Sequence, residues 1–444
     1  MKKMQPCFGL EFEIYKTKDI FQQANLMNIL FIHQNFPGQF KHLAPALATK
    51  GHKVVSLTLR VKEPAKWKGV ELIPYTIKRQ PSTGLHPWLV DFESKLLRAE
   101  SCYSAAMKLK KRGFSPDVIV AHPGWGESMF LRDLWPEARI GLFCELYYDS
   151  INGEAGFDPE FPQHAPDEEP IRLRLKNLSN FMHLEVGNLG ISPTEFQANT
   201  YPASVRDRIS VIHDGIDTEV FCPNSDASIK LETGEVLTRE DEVITFVNRN
   251  FEPYRGYHVF MRALPRLLKE RPDARILMVG GDGVSYGARP AKGQTWKQIF
   301  IDEVRGRIPT KDWQRVHFLG RIPYETYLSM MQISRAHVYL TYPFVLSWSL
   351  IEAMAIGAPI VASDTPPVTE VISHGDTGRL FPFFDQDRMV DEICTVLSDS
   401  DMRDALATSS RKVAISRYDL KDVCLPKQLE WIDRLAEMQP GKFS

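Results

Sequence analysis

Two arginines, Arg249 and Arg255, lie six positions apart in the segment NRNFEPYRG, residues 248–256. An apolar run with strand character precedes this segment, and a helix-forming run follows it. Guanidinium groups form forked, permanently charged hydrogen bonds to phosphate oxygens. The pair therefore predicts a diphosphate site, although paired arginines on a loop can also simply be solvated.

A second set of candidate residues begins the helix predicted over residues 347–356, with Ser347 or Ser349 as its N-cap and Gly357 at its C-terminal end. A helix that starts directly after a strand presents free N–H groups and a positive dipole end, which suit a phosphate. The backbone that we expect to bind such an anion belongs to Ser347, Trp348, Ser349 and Leu350.

Glu352 lies on the same helix and is the one formal charge between residues 336 and 363. A carboxylate on an otherwise apolar helix can bind a ligand, and it can equally point to solvent or pair with an arginine. The pattern alone leaves both readings open. The long apolar run around it does not predict a membrane span, because Pro343, Glu352, Gly357 and Pro359 interrupt it.

Two further candidates follow predicted strands nearer the start of the chain. Gly38 lies in the loop after residues 28–33, and His122 follows residues 117–121. Side chains at the carboxyl end of a buried parallel strand lie at the edge where α/β sheets bind ligands. The simpler readings are a glycine required by the turn and a histidine that hydrogen-bonds its own loop.

The elements that must position these residues form two series. Residues 28–59 read as strand, glycine-containing loop, helix and strand, which is the βαβ opening of a doubly wound domain. A second series of strands and helices begins at Val243, after a polar run over residues 224–241. A chain of 444 residues suits two domains of this size. The segment 151–170 is acidic, rich in proline and aperiodic, and we expect a mobile loop near the cleft.

The segment IEAMAIGAPIVASD, residues 351–364, resembles the LEAMACGxPVVATD segment of the family 4 glycosyltransferases of the GT-B fold. Three other segments also resemble motifs of that family. They are ISVIHDGID at residues 209–217, the arginine loop at residues 248–256 and VHFLGRIP at residues 316–323. The resemblance implies an α/β, GT-B architecture in which two doubly wound, Rossmann-like domains face a central cleft.

The resemblance also implies domain limits. Residues 1–27 are expected to form an N-terminal extension, and residues 28–222 the acceptor-side domain. Residues 223–424 are expected to bind the nucleotide sugar, and residues 425–444 to form a terminal helix that packs back on the first domain.

Roles for individual residues follow from the same resemblance. Arg249 and Arg255 are expected to bind the diphosphate of a nucleotide-sugar donor, and Glu352 its ribose hydroxyls. Gly38 is expected to face donor and acceptor, His122 the donor sugar, and Arg321 and Ile322 the nucleobase. The chain departs from the family at Phe344, where a second glutamate is usual, and at residues 345–347, where the family has a glycine segment.

The implied activity is transfer of a sugar, with retention, from a nucleoside-diphosphate sugar to an acceptor hydroxyl. The acceptor would be a glycan or a lipid-linked molecule in polysaccharide or glycolipid synthesis. No DxD-like pair stands out, so we expect no metal and no other cofactor. Two alternatives stay open: a nucleotide-sugar epimerase or phosphorylase on the same fold, and a non-catalytic subunit that binds a nucleotide sugar.

Charge is unevenly distributed along the chain. Residues 28–112 contain 15 Lys and Arg against 5 Asp and Glu, a local balance of +10, while the whole chain carries −2. Such a basic domain can meet an anionic membrane surface or an anionic substrate, or it can be a solvated face. Nucleic acid is not expected as a partner, because no recognition motif accompanies the charge.

The cysteines and the absence of a recognisable leader bear on location. The six cysteines are scattered without metal-ligand spacing, and no segment has the pattern of a signal peptide. We therefore expect reduced thiols and a cytoplasmic protein, in peripheral contact with the inner face of the membrane if the basic domain binds lipid.

Overall fold

The computed structural model describes residues 26–151, 153–162, 165 and 167–440. The predicted N-terminal extension lies outside the described residues except for Leu26 and Met27. The described chain forms two α/β units, each with a sheet between helices, and the sheets use residues 28–211 and 243–381. The predicted doubly wound, two-domain architecture is confirmed at this level, whereas the boundary predicted at residue 222 stays a prediction.

The first sheet has the order β3-β4-β2-β1-β5-β6-β7-β8. Its strands are β1 (Asn28–Ile32), β2 (Lys53–Thr58), β3 (Ala65–Trp67), β4 (Val70–Pro74), β5 (Val118–Ala121), β6 (Arg139–Phe143), β7 (Leu189–Ser192) and β8 (Ile209–Val211). Neighbouring strands are parallel except for β3 and β4. The central strands are continuous apolar runs, as parallel strands covered on both faces must be.

The second sheet follows a short antiparallel hairpin and has the order β13-β12-β11-β14-β15-β16, all parallel. The hairpin strands are β9 (Ser228–Lys230) and β10 (Val236–Thr238). The sheet strands are β11 (Val243–Asn250), β12 (Arg275–Gly281), β13 (Val316–Gly320), β14 (Ala336–Tyr339), β15 (Ile360–Ser363) and β16 (Arg379–Phe381).

Helices flank both sheets. In the first domain they are α1 (Leu43–Thr49), α2 (Val90–Lys111), α3 (Leu131–Leu134), α4 (Glu169–Lys176), α5 (Leu178–Val186), α6 (Glu195–Asn199) and α7 (Ala203–Arg206). In the second they are α8 (Tyr257–Glu270), α9 (Trp296–Arg305), α10 (Thr310–Trp313), α11 (Tyr324–Gln332), α12 (Trp348–Ile356), α13 (Pro366–Thr369), α14 (Gln386–Ser398) and α15 (Ser400–Tyr418). A π-helical turn (Leu420–Cys424) then leads into α16 (Leu425–Glu437).

Several helix ends follow directly from the residue types at their caps. The Thr194 hydroxyl accepts the Gln197 N–H at the start of α6, and the Ser347 hydroxyl accepts the Ser349 N–H at the start of α12. Gly357 ends α12 with a φ of 74°, a left-handed conformation that glycine adopts without steric cost. These caps confirm the predicted start and end of the helix that carries Glu352.

The last helix, α16, returns to the first domain. Trp431, Ile432 and Leu435 pack into the apolar layer that β1, β5 and α1 also form. The Trp431 indole N–H donates to the Gly190 carbonyl oxygen (3.1 Å). A Cβ at Gly141 would collide with the Trp431 ring. Only a glycine at this position of the strand leaves room for the indole.

The connection from β6 to α4 contains a segment, residues 153–162, that we call the strap. Asp158 of the strap accepts a hydrogen bond from the Tyr342 hydroxyl (2.6 Å) and lies 3.0 Å from His258 Nε2, both in the second domain. Phe157 and Phe161 pack against the core of that domain. The strap is therefore docked on the second domain, where the sequence predicted a mobile loop near the cleft.

No helix in the described part of the chain is long and apolar enough to cross a membrane.

Candidate active site

A cleft of about 840 Å³ lies between the carboxyl ends of the two sheets. Loops after β1, β5, β6 and β7 form one wall, and loops after β11, β12 and β14 form the other. The predicted residues that line it are Gly38, Arg249, Arg255, Ser347, Trp348, Ser349 and Glu352. The structure thus brings these seven candidates, which span more than 300 positions of sequence, to one cavity.

Four other candidates do not line the cleft. Leu350 is fully buried in the core, and its N–H already donates to the Ser347 carbonyl oxygen (3.2 Å). Arg321 donates weakly to Asn250 Oδ1 (3.4 Å), and Ile322 packs against the apolar layer beneath the second sheet. His122 lies beneath Trp125, its ring stacked on the indole with centroids 4.1 Å apart.

The two arginines differ in how they are held. Arg249 is exposed at the cleft wall. Arg255 is buried, donates to the Thr341 hydroxyl (2.7 Å) and lies over the ring of Tyr286, 5.4 Å from its centroid. Gly256 adopts a φ of 66° immediately after it, where a Cβ would collide with Leu340. One guanidinium is thus fixed in place and the other is free to reorient toward an anion.

Glu352 lies at the far end of the same wall. Its carboxylate accepts hydrogen bonds from the hydroxyls of Tyr327 (2.8 Å) and Tyr324 (3.4 Å). Burial raises the pKa of Glu352, and the two hydroxyls partly oppose that shift. The carboxylate is therefore held for hydrogen bonding to a ligand rather than paired with an arginine.

Phe344 does not line the cleft. Its ring packs against those of Tyr254 and Tyr286, with centroids 5.5 and 4.9 Å away. The cleft wall beside it is formed by Val345 and Leu346. The second domain therefore offers an apolar surface at this point.

The wall contributed by the first domain is built from a chain of polar side chains. Asn35 N–H donates to His33 Nδ1 (3.1 Å), so the His33 proton is assigned to Nε2, which lies 2.8 Å from Gln39 Oε1. Gln39 Nε2 in turn donates to Glu145 Oε1 (3.1 Å). Burial and the neighbouring His122 lower the pKa of His33 to about 3, so its ring is neutral.

Glu145 is the last side chain of this hydrogen-bonded series, and it also faces His122. Gly124 N–H donates to His122 Nδ1 (3.2 Å), which assigns the His122 proton to Nε2, 3.3 Å from Glu145 Oε2. The N–H is poorly aligned with that oxygen, so the contact is mainly electrostatic. Burial by itself raises the pKa of Glu145, but the two imidazoles and the Gln39 amide outweigh it and the pKa lies below its usual value.

Asp214 joins the two walls. Its Oδ2 accepts the indole N–H of Trp348 (2.7 Å), and Lys41 Nζ lies 4.3 Å from the Trp348 ring centroid. Burial raises the pKa of Asp214 to about 7. This residue follows β8, in the connection that leads to the second domain.

The sequence did not single out Trp125, Glu145 or Asp214 as site residues. Trp125 and Glu145 follow predicted strands, which is a usable but weak signal, because most residues just past a strand line no site. Asp214 lies within the motif at residues 209–217, where nothing in the pattern marked it as a cleft residue.

One group of described residues has ligand types that suit a metal ion. Ligand atoms of Asp158 and Glu160 in the strap and of His258 in α8 all lie within 4.8 Å of one another, and none of these residues lines the cleft. Glu160 is already paired with Arg262 through two contacts of 2.6 and 2.7 Å. The expectation that the reaction uses no metal stays a prediction.

Two family models match the chain. The family described as "Glycosyl transferase family 4 group" matches residues 50–221, and that described as "Glycosyl transferases group 1" matches residues 230–413. Together they cover most of both domains.

Curated relatives include the phosphatidyl-myo-inositol mannosyltransferase of Mycolicibacterium smegmatis, 34% identical over 187 residues. That match covers 41% of this chain and only 42% of the relative. The D-inositol 3-phosphate glycosyltransferase of Kribbella flavida is 23% identical over 373 residues, which cover 78% of each chain.

Solved structures share the fold at low identity. The sucrose-phosphate synthase of Thermosynechococcus elongatus superposes with a TM-score of 0.70 at 17% identity, covering 93% of this chain and all of that one. HepE of Anabaena, solved in complex with UDP and glucose, superposes with a TM-score of 0.64 at 16% identity, covering 92% of this chain and all of that one. The chain therefore belongs to the group 1, family 4 glycosyltransferases, enzymes of the EC 2.4 class with the GT-B fold.

Proposed function

We propose that this glycosyltransferase moves a sugar from a nucleoside-diphosphate sugar to an acceptor hydroxyl, with retention of configuration. The observation that carries the proposal is the composition of one cleft wall. It combines Arg249 and Arg255, the N-terminus of α12 and the carboxylate of Glu352. Cations and a helix N-terminus suit a diphosphate, and a carboxylate suits the vicinal hydroxyls of a ribose.

The arginines would act mainly on the leaving group. The diphosphate gains negative charge as the glycosidic bond breaks, so fixed cations stabilise the transition state more than the ground state. Arg255 is already oriented by Thr341 and Tyr286, so little reorganisation accompanies the reaction. These charges would neutralise the leaving diphosphate without a resident metal.

Glu352 would bind the ribose. A carboxylate has acceptor sites on both oxygens, enough for two vicinal hydroxyls in addition to the tyrosine contacts. The hydrogen bond from the Tyr327 hydroxyl fixes the Glu352 carboxylate, so the remaining acceptor sites of the carboxylate are held in one orientation. The nucleoside end of the donor would then lie near Glu352 and its diphosphate near the two arginines.

The acceptor would be a glycan or a lipid-linked molecule. The two relatives described above carry names with a phosphatidylinositol and an inositol phosphate acceptor, both anionic. A basic first domain would favour such acceptors and would hold the enzyme at the cytoplasmic face of an anionic membrane.

The surface that supports membrane contact combines apolar and basic side chains. Leu89, Val90, Ile171 and Phe181 are exposed on the helical elements that pack around the N-terminus of α2. Arg172 and Arg174 lie on α4 in the same group. A groove of about 500 Å³ between α2 and the chain after β4 adds further basic residues: Lys78, Arg79, Lys108 and Arg112.

The burial of Phe344 keeps a second candidate function in view, a non-catalytic subunit that binds a nucleotide sugar. Its basis is that the cleft wall beside the buried Phe344 is formed by Val345 and Leu346, where the family usually has a glutamate. A binder and an enzyme differ in one observable, which is conversion of the donor.

A thermal-shift screen against nucleotide sugars and free nucleoside diphosphates tests the proposal. We expect at least one nucleoside diphosphate and its sugar conjugate to raise the melting temperature of the wild type, and Arg249→Ala to abolish the rise. Mass spectrometry of the stabilising donor then separates the functions. Transfer or slow hydrolysis supports the enzyme, conversion without acceptor supports an epimerase, and stabilisation without turnover supports the binder. Absence of any shift across the panel would overturn the proposal.

A further inference from the structure

In the part of the chain that the structure describes, four carboxylates line the cleft. Three of them already accept hydrogen bonds that fix them in place. Glu252 is completely buried and accepts backbone N–H groups from residues 285–287. Asp214 accepts the Trp348 indole, and Glu352 accepts two tyrosine hydroxyls at the nucleoside end. Glu145 is different, because about a third of its side chain (34%) is exposed, at the cleft wall.

Glu145 has acceptor capacity left for a ligand. Its contacts are the Gln39 amide on Oε1 and the facing His122 ring near Oε2. An ionised carboxylate offers about four lone-pair sites, so each oxygen can accept a further hydrogen bond. Because the pKa of Glu145 lies below its usual value, the group is ionised at neutral pH and forms the stronger, charge-assisted type of bond.

Trp125 contacts the same His122 ring that faces Glu145, lines the same cleft and provides a flat apolar surface. His122 covers one face of the indole (4.1 Å between centroids, 17° between planes), and His33 meets it edge-on at 4.8 Å. The ring is therefore held in one orientation, and the surface that it leaves exposed lines the cleft. A rigid aromatic face next to a carboxylate matches the two sides of a pyranose, which are its apolar C–H face and its hydroxyls.

Glu145 and Asp214 line the same cleft, and the charge of Glu145 contributes to the raised pKa of Asp214. Asp214 in turn binds Trp348, the first residue of α12. On the opposite wall, Phe344 is turned into the core, and its neighbours Val345 and Leu346 line the cleft.

Resting on the proposed function, we infer that Glu145 binds hydroxyl groups of the transferred sugar, with Trp125 packed against the ring of that sugar. The first domain thereby supplies the sugar-binding carboxylate that the second domain lacks. Glu145 is on this view a specificity-determining residue for the donor sugar, and it makes no contact with the nucleoside.

The test compares wild type with Glu145→Gln, using the nucleotide sugar identified by the thermal-shift screen and its free nucleoside diphosphate. Glutamine keeps the size and one acceptor oxygen but removes the charge. We expect the affinity for the free diphosphate to change less than about twofold. The affinity for the nucleotide sugar and kcat/KM should fall about 10- to 100-fold, as for loss of a hydrogen bond to a charged group. The surface variant Glu185→Gln is the matched control.

Donors that each lack one hydroxyl show whether Glu145 contacts the sugar directly or acts on it indirectly by positioning His122. If Glu145 binds a hydroxyl, one deoxy donor should lose affinity in the wild type but lose almost none in Glu145→Gln, a non-additive pair. Equal losses for every deoxy donor in both proteins would overturn the inference, as would unchanged nucleotide-sugar affinity in the variant.

A second variant keeps the test decisive if Glu145→Gln fails to fold. Trp125→Leu should weaken the nucleotide sugar and spare the free diphosphate, and unchanged affinity for both would again overturn the inference. If the wild type binds free diphosphate but no nucleotide sugar, or neither ligand, the proposed function fails together with this inference. Normal sugar-nucleotide binding in both variants defeats only the inference.

Discussion

The indole N–H of Trp348 donates to Oδ2 of Asp214 across the cleft, at 2.7 Å. One partner begins the helix whose N-terminus we propose for the diphosphate, and the other lies in the connection between the domains. This partly buried hydrogen bond therefore links the proposed phosphate site to the domain connection.

Asp214→Asn should change how stability depends on pH. The folded-state pKa of Asp214 is about 7, against 3.8 as its ordinary value. The folded protein thus holds this proton more tightly, so the contribution of Asp214 to stability is lost as pH rises between those two values. Asparagine can still accept the indole N–H and carries no charge. We expect the melting temperature of the variant, relative to wild type, to increase from about pH 5 to about pH 8.

Differential scanning calorimetry at several pH values measures this difference. The exposed Asp226→Asn variant serves as the control, and its difference from wild type should be constant over the same range. A flat difference for Asp214→Asn would mean that Asp214 is ionised throughout and that the hydrogen bond to Trp348 is its whole role.

Arg249→Ala should impair binding of the diphosphate while leaving the fold intact, because Arg249 is exposed. The expected loss is about 2 kcal/mol or more for removal of one charged partner. Isothermal titration with nucleoside diphosphate measures it, and Arg289→Ala, an exposed arginine that does not line the cleft, is the matched control. Arg255→Ala should lose as much affinity and also some stability, because it leaves Thr341 without its partner. Near-normal turnover in both variants would place the diphosphate elsewhere.

Glu352→Gln should weaken nucleoside binding with little change in melting temperature. The amide oxygen of glutamine can still accept the Tyr327 hydroxyl, so the packing beneath it is kept. What is lost is the charged acceptor for a ribose hydroxyl, which is worth about 1.5–3 kcal/mol. Titration with a nucleoside diphosphate measures the effect, and Glu325→Gln on the exposed face of α11 is the control. A large loss of stability at unchanged affinity would make Glu352 a structural partner of the tyrosines.

Asp158→Ala should loosen the contact between the strap and the second domain. The variant leaves the Tyr342 hydroxyl and the buried His258 without their carboxylate, so we expect a melting temperature lower by several degrees. Small-angle scattering should also show a larger radius of gyration if the strap limits domain opening. Asp167→Ala, an exposed carboxylate in the same connection, should change neither quantity.

Binding to anionic liposomes should be salt-sensitive and should require the basic surface of the first domain. Each basic residue that reaches the surface contributes roughly 1 kcal/mol. Co-sedimentation at low and high salt should show binding for wild type and loss for the double variant Arg172→Glu and Arg174→Glu. Exchanging Lys412 and Arg417 of α15 for glutamate is the matched control and should leave binding unchanged. Binding that ignores lipid charge would leave the basic surface as a solvated face, without bearing on transferase activity.

Much of the architecture could be predicted because it depends on local rules. Apolar runs such as residues 28–32, rich in β-formers, are typical of buried parallel strands. The caps at Thr194, Ser347 and Gly357 have side chains or conformations that are common at helix ends. Arg249 and Arg255 could be predicted because they follow a predicted strand, and Glu352 because it is the one formal charge on an otherwise apolar predicted helix.

The remainder depends on contacts between segments that are distant in sequence. His122 was predicted at the correct edge of its sheet, but the packing of Trp125 over its ring could not be inferred from the spacing of the two residues. Asp158 lies in a segment without periodicity, and its burial follows from Tyr342 and His258, which are 184 and 100 positions further along the chain. Such pairings carry no local signal.

The return of α16 to the first domain has a consequence for synthesis on the ribosome. The layer around Gly141 and Gly190 is closed by Trp431, which is translated about 240 residues after Gly190. Until then the part of the first sheet that α16 covers stays exposed beside α1, and it remains so while the entire second domain emerges. Nascent chains stalled before residue 425 should therefore be far more sensitive to protease in the first domain than chains released after Trp431 has been added. The N-terminal domain is therefore the first to be synthesised, but its apolar core is completed only after the second domain has emerged.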